Sequence, residues 1–253
     1  PPGNATWRRV DVPARPVARG GPLLLGALSA DGSRLAVTNA RAALVCALGE
    51  VDGDGGGGGW RTLARGEVHA LCWLDASTLL LVRRAARGAA ASAAPGPHEA
   101  ALMRADGPDA RAGWREAACA PLRAEGRVWG CVRASDATAV VGIGDEMRIV
   151  IVGGGGGGVL VSETPIALPP DAPRAIGLSC ARDDASLADT LELLVATDGG
   201  GTLVARARLP SDSTHAPIAP VLWHALGAPS ARGCHHCWHD WGGAWRLDES
   251  GLC

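Results

Sequence analysis

The most chemically suggestive segment of the chain is the Cys-His-His-Cys-Trp-His-Asp run at residues 234–240. A Cys-x-x-Cys pair can fill two corners of a tetrahedral zinc site, and a nearby His can add a third ligand. A structural zinc site normally draws its second ligand pair from a distant segment, whereas the only later Cys here is Cys253. Zinc is therefore a candidate cofactor of this segment, and a surface tail or sheet edge is the alternative. The predicted ligands are Cys234, Cys237, His235 and His239, with His236 as a further candidate.

Other motifs that could support catalysis are incomplete. The glycine runs at 53–59 and 153–158 lack the Lys and Ser or Thr that follow in a phosphate loop, and the chain contains no Lys. The Gly177–Ala181 segment places Ser179 near a glycine but ends in Ala, so it does not make a nucleophile turn. We therefore expect no catalytic residue and no other cofactor. The alternative is a hydrolase whose site lies in a central channel.

Charge and hydropathy give no support to two classes of function. The formal net charge is −2, with Arg and acidic residues mixed along the chain, so bulk electrostatics gives no support to nucleic-acid binding. No apolar run approaches the roughly 20 residues that a membrane-spanning helix needs. Hydrophobic residues make up 47% of the chain, which favours a globular fold over disorder.

The elements that must position these residues are short strands in a recurring pattern. In the first unit, residues 22–28 form an apolar strand, Asp31-Gly32 marks a turn, and residues 34–38 form a second strand. Similar units start near Glu67, Gly126 and Arg174. Only residues 184–194 suggest one turn of helix.

The spacing of the units predicts the fold class. Aligned on Leu25, Leu71, Cys131 and Leu178, the units recur at intervals of about 46, 60 and 47 residues. Units of 40 to 50 residues with four short strands are typical of β-propeller blades. We predict an all-β propeller of about four antiparallel blades, at residues 20–65, 66–118, 126–165 and 173–227. Residues 228–253 form a Cys/His/Trp-rich tail, and another all-β sandwich is the alternative fold.

The first residue, the number of blades and the cysteines indicate what kind of protein the chain comes from and in which compartment it folds. Four blades are few for a closed propeller and the first residue is Pro1, so we expect a fragment of a larger protein. Several of the eight Cys, such as Cys46 and Cys72, lie inside apolar runs, which favours buried free thiols in a reducing compartment. The expected location is the cytoplasm, with the nucleus as the alternative.

Four segments carry a family resemblance. Residues 31–37 are similar to WD40-type blades in general. Residues 67–75 (Glu-Val-His-Ala-Leu-Cys-Trp-Leu-Asp), 78–82 (Thr-Leu-Leu-Leu-Val) and 126–130 (Gly-Arg-Val-Trp-Gly) together resemble the second N-terminal propeller of the largest Elongator subunit (IKAP). The resemblance covers residues 1–165, and the Cys/His tail departs from it.

The resemblance implies a scaffold. In that family the subunit supports a complex that modifies wobble uridines of transfer RNA, and a different subunit is the catalytic acetyltransferase. No catalytic residue would then be carried by this chain. We therefore expect a non-enzymatic propeller that binds the other protein subunits of a complex, without a direct nucleic-acid or membrane site.

The zinc prediction is tested by metal analysis of the purified chain. If the Cys-x-x-Cys pair holds zinc, the metal co-purifies with the unmodified chain and is lost from Cys234→Ser, because one thiolate corner is removed. A chain that purifies without zinc would show that the segment is not a zinc site.

Overall fold

The computed structural model describes twelve ranges, and within them the chain forms twenty β-strands and no α-helix. None of these residues belongs to a helix with the length and hydropathy of a membrane span. The ranges are 23–48, 60–85, 98–107, 113–153, 158–162, 165–181, 190–198, 201–208, 222–226, 234–240, 243–248 and 251–252.

Seventeen of the strands lie in four antiparallel sheets, each built from strands that follow one another along the chain. The first sheet contains β1 (Leu25–Leu28), β2 (Arg34–Thr38), β3 (Ala42–Ala47) and β4 (Arg61–Arg65). The second contains β5 (Val68–Trp73), β6 (Thr78–Arg84), β7 (His98–Ala105) and β8 (Trp114–Leu122). The third contains β9 (Val128–Ser135), β10 (Thr138–Ile143), β11 (Glu146–Val152), β12 (Val159–Val161) and the short β13 (Ile166–Ala167). The fourth contains β14 (Ala175–Ala181), β15 (Thr190–Thr197), β16 (Thr202–Arg208) and β17 (Leu222–Leu226).

The first hairpin shows how the sequence sets these turns. Gly32 has a φ of 71°, a left-handed conformation that glycine adopts without strain. The Asp31 carboxylate accepts hydrogen bonds from the Ser29 hydroxyl at 2.7 Å and from the Ser33 hydroxyl at 2.8 Å. These bonds, with the Ser33 amide, lower the pKa of Asp31 to about 2. Because the folded-state pKa is depressed, Asp31 stabilises the fold above its ordinary pKa and loses this effect as the pH falls towards 2.

The sheets are stacked like the blades of a propeller. The first strands of consecutive sheets lie side by side, in the order β1, β5, β9 and β14, and the four residues used to align the repeat all lie on them. Three buried apolar clusters fill the junctions between consecutive sheets. The first junction lies between the first and second sheets, the second junction between the second and third, and the third junction between the third and fourth. Stacked four-stranded antiparallel sheets with adjacent first strands are the architecture of a β-propeller, which confirms the predicted fold class.

Tryptophan anchors two of the three junctions. Trp73 is 5% exposed and packs edge-on against Trp114 in the first junction, with ring centroids 5.8 Å apart. Its indole Nε1 donates to the Ala27 carbonyl on β1 at 3.0 Å, which ties the first two sheets together. Trp129 packs in the third junction. The cluster in the second junction is aliphatic: its buried residues are all Ala, Leu, Val or Ile.

The segment that the sequence assigned to a tail also contains strands. β18 (Cys234–Asp240), β19 (Gly243–Asp248) and β20 (Gly251–Leu252) form a fifth, three-stranded sheet. β18 lies against β14 and β15, so it continues the series of first strands. The structure thus adds one sheet to the four predicted units.

The suggestion of a helical turn within residues 184–194 is wrong for its second half. Residues from Thr190 onwards belong to β15, and residues 184–189 lie outside the described part of the chain. Leu191, Leu193 and Val195 all pack into the cluster between the third and fourth sheets. Burial at every second residue is the period of a strand, and the tertiary contact decides against the local helical pattern.

Gly130 permits a close approach of the first strands of the third and fourth sheets. A Cβ atom at Gly130 on β9 would lie 2.6 Å from the Cβ atom of Leu178 on β14. Real Cβ atoms do not come this close, so any side chain at position 130 would push the third and fourth sheets apart.

We predict that Gly130→Ala lowers the free energy of unfolding by about 1–3 kcal/mol through overpacking. Gly177→Ala is the matched control, because its new Cβ would lie 3.6 Å from the Cβ of Ala196, an ordinary contact. Urea unfolding of the two variants measures the difference. Equal stability of the two would show that the strands are free to separate at Gly130.

Candidate functional site

The predicted zinc ligands lie on the first strand of the fifth sheet. The backbone of Cys234, His235, Cys237 and His239 belongs to β18, which pairs with β19 in the registers Cys234↔Asp248 and Cys237↔Arg246. The ladder shifts register between Cys234 and His236. The side chains of this strand lie outside the described part of the structure, so the zinc site stays a prediction.

Within the described part, chemistry-bearing side chains gather at the second junction, between the second and third sheets. They are His69 and Cys72 on β5, His98 on β7, and Cys131 and Arg148 on the third sheet. The amino-acid sequence alone does not predict this group. Its members are isolated residues spread over four strands, β5, β7, β9 and β11, and only the register and packing of the sheets bring them together.

The two histidines form a pair at one end of this junction. Their ring centroids are 4.9 Å apart and the rings are perpendicular. His98 Nε2 lies 2.8 Å from the carbonyl oxygen of Gly126, in the segment that leads into β9. His69 Nδ1 lies 3.9 Å from a carboxylate oxygen of Glu67. Burial lowers the pKa of His69, so its neutral ring is favoured at neutral pH.

Two thiols face each other further along the same junction. Cys72 is buried, and the Cys131 thiol is hydrogen-bonded to it across the first strands of the two sheets. This hydrogen bond and burial raise the pKa of Cys131 well above its usual value. A protonated thiol is a weak nucleophile, so Cys131 contributes packing rather than thiolate chemistry. Cys46 and Cys72 are both buried and free, as their apolar sequence contexts indicated.

Arg148 connects the second and third sheets at the outer part of the second junction. Its side chain is 10% exposed, and its Nε donates to a carboxylate oxygen of Glu146 at 2.8 Å. One terminal nitrogen donates to the Ser162 carbonyl beyond β12, and the other donates to the Arg123 carbonyl in the segment between the second and third sheets, both at 3.1 Å. Arg148 therefore fixes β12 relative to the second sheet.

A cavity of about 430 Å³ lies beside Arg148, between the outermost strands of the second and third sheets. Leu160 on β12 borders it and is 47% exposed, and the exposed Arg123, between β8 and β9, also lines it. We call this surface the rim cavity. Its lining residues are Ala120, Pro121, Arg123, Arg148, Val159, Leu160, Val161 and Ser162.

Comparisons with known proteins do not assign a family. No protein-family model matches the chain, and no curated protein matches it. Solved structures with some likeness include Kluyveromyces lactis Hsv2 (TM-score 0.48, 13% identity, 91% of this chain and 57% of that one). Another is the Pseudomonas aeruginosa periplasmic gluconolactonase PpgL (TM-score 0.40, 12% identity, 89% of this chain and 75% of that one). A third is the N-terminal domain of Nup159 (TM-score 0.33, 13% identity, 91% of this chain and 74% of that one).

The chain thus spans just over half the length of the Hsv2 structure, and the identities are too low to transfer an activity. The fold assignment rests on the sheet order and on the adjacent first strands. The resemblance to the Elongator subunit stays a prediction.

We predict that Arg148→Met lowers the free energy of unfolding by about 2–4 kcal/mol, because three acceptors lose a charged donor at a nearly buried position. Arg206→Met is the matched control. Its Nε pairs with Glu192 at 2.8 Å, but its side chain is 57% exposed, so we expect a loss of less than about 1 kcal/mol. Urea unfolding measures both, and equal losses would contradict the connecting role of Arg148.

Proposed function

We propose that the chain is a non-catalytic β-propeller scaffold that binds protein partners through the rim cavity. The observation that carries this proposal is the exposed Leu160 beside a cavity bounded by two edge strands. A large apolar side chain next to an open cavity gains free energy when a partner removes it from water, at about 25 cal/mol per Å².

The strands around the rim cavity are suited to receive an extended segment of a partner. β12 is at the end of the order β12-β11-β10-β9, and β8 is at the end of its own sheet. Edge strands present backbone groups that a peptide can pair with, and alternate side chains of that peptide enter neighbouring pockets. The exposed Arg123, which lines the same cavity as Leu160, favours a partner segment that combines an apolar residue with a carboxylate.

Within this proposal, the scaffold belongs to the Elongator complex and supports modification of transfer RNA wobble uridines. The resembling segments at 67–75, 78–82 and 126–130 contribute to β5, β6 and β9, which pack around the second junction. The partners are then other subunits of the complex, in the cytoplasm or nucleus, and the reaction is carried out by a different subunit.

The proposal is tested by affinity capture on the immobilised chain from an extract of the organism that encodes it, followed by mass spectrometry. We expect Elongator subunits in the captured fraction, and at least a tenfold loss with Leu160→Glu, because a carboxylate replaces the apolar contact. Leu28→Glu is the matched control. Leu28 is 56% exposed on β1, away from the rim cavity, so this variant should capture the same subunits.

Two outcomes would contradict the proposal, and each contradicts a different part. Capture without any Elongator subunit would show that the Elongator assignment is wrong. Equal capture by the unmodified chain and Leu160→Glu would show that partners do not use the rim cavity.

A further inference from the structure

The histidine pair at the second junction has an arrangement that its structural role does not explain. Each ring has one nitrogen near an acceptor and one nitrogen that is buried without a hydrogen-bond partner. The unpartnered atoms are His69 Nε2 and His98 Nδ1. His98 itself is only 7% exposed.

The acceptors determine which nitrogen of each neutral ring holds the proton. The Gly126 carbonyl can only accept, so His98 Nε2 must be the donor at 2.8 Å and Nδ1 keeps its lone pair. The Glu67 carboxylate lies 3.9 Å from His69 Nδ1 and favours the proton there. Both unpartnered nitrogens are therefore lone-pair donors, and neither can satisfy the other by a hydrogen bond.

The same arrangement is typical of histidines that bind a metal ion. A metal-binding imidazole usually donates its other N–H to a backbone carbonyl or a carboxylate, which fixes the tautomer and the ring orientation. Here His98 Nε2 donates to the Gly126 carbonyl at 2.8 Å, whereas the Glu67 carboxylate lies 3.9 Å from His69 Nδ1, which is an electrostatic contact rather than a hydrogen bond. The rings are close enough, with centroids 4.9 Å apart, to act on one ligand.

A transition-metal ion binds the lone pairs of neutral imidazoles, and zinc, copper and nickel all accept them. Two unpartnered lone pairs on neighbouring rings are therefore the ligand type that such an ion takes.

We propose that His69 Nε2 and His98 Nδ1 together bind one divalent transition-metal ion of the zinc type. Among the described residues no third His, Cys, Asp or Glu joins the pair, so water completes the coordination. The bound ion connects β5 to β7 and thereby stabilises the second sheet at the junction. This site is separate from the predicted zinc ligands on β18 and does not depend on the scaffold proposal.

The test uses the full chain with Cys234→Ser and Cys237→Ser, so that the predicted thiolate site cannot contribute. Zinc binding is measured by isothermal titration calorimetry, with circular dichroism as the check on folding. We expect saturable binding of one ion, and at least a tenfold weaker Kd with either His69→Gln or His98→Gln, as for the loss of one ligand. His224→Gln on β17 is the matched control and should leave the Kd unchanged.

A measurement without histidine substitution covers the case in which the Gln variants fail to fold. In the same double-Ser chain, labelled with ¹⁵N histidine, we expect zinc to shift the nitrogen resonances of two imidazoles together. Two results would overturn the proposal. One is no zinc uptake, which would leave water as the ligand of the pair, and the other is uptake that neither histidine substitution weakens.

Discussion

The face-to-face packing of consecutive sheets along their first strands is the constraint on which the rest of the structure depends. The third sheet shows it most clearly, since Val141 faces the cluster of the second junction and the adjacent Val140 faces that of the third. Successive residues of a strand point to opposite faces, so one strand serves two junctions at once. This is why all six residues of β10 are buried, and why its sequence from Ala139 to Ile143 is a continuous apolar run.

The same packing determines what polar side chains can do at a junction. A buried polar group without a partner costs about 1–3 kcal/mol, so a long side chain entering a junction must reach backbone acceptors. Arg148 does so at the second junction, and Arg34 donates to the Ala76 carbonyl at 2.9 Å at the first. In both cases a charged side chain connects neighbouring sheets. The unpartnered nitrogens of His69 and His98 depart from this rule within the described part of the fold.

The sequence predicted strands wherever a turn residue and an apolar run coincided. The second strand of the first unit is predicted at residues 34–38, and β2 has those bounds. β13 has only two residues, too few to show the alternating pattern of a strand. The fifth sheet was not predicted, because the Cys and His residues of β18 were interpreted as candidate metal ligands and not as part of a strand. The histidine pair could not be predicted. It depends on the register shift between Val68 and Ala70 and on the pairing of Arg84 with His98, and neither feature leaves a local sequence pattern.

The packing that makes the fold rigid also restricts where a partner can bind. The faces of the second and third sheets are already occupied by the clusters between them, so a partner cannot use those faces without separating the sheets. The parts of these two sheets that a partner can still reach are their outer strands, β8 and β12. There β12 is short and ends at Val161, so it leaves an opening beside β8 where Leu160 is exposed. Because Arg148 fixes β12 relative to the second sheet, this opening keeps its shape without a partner, and a segment that binds there does not have to order the surface first.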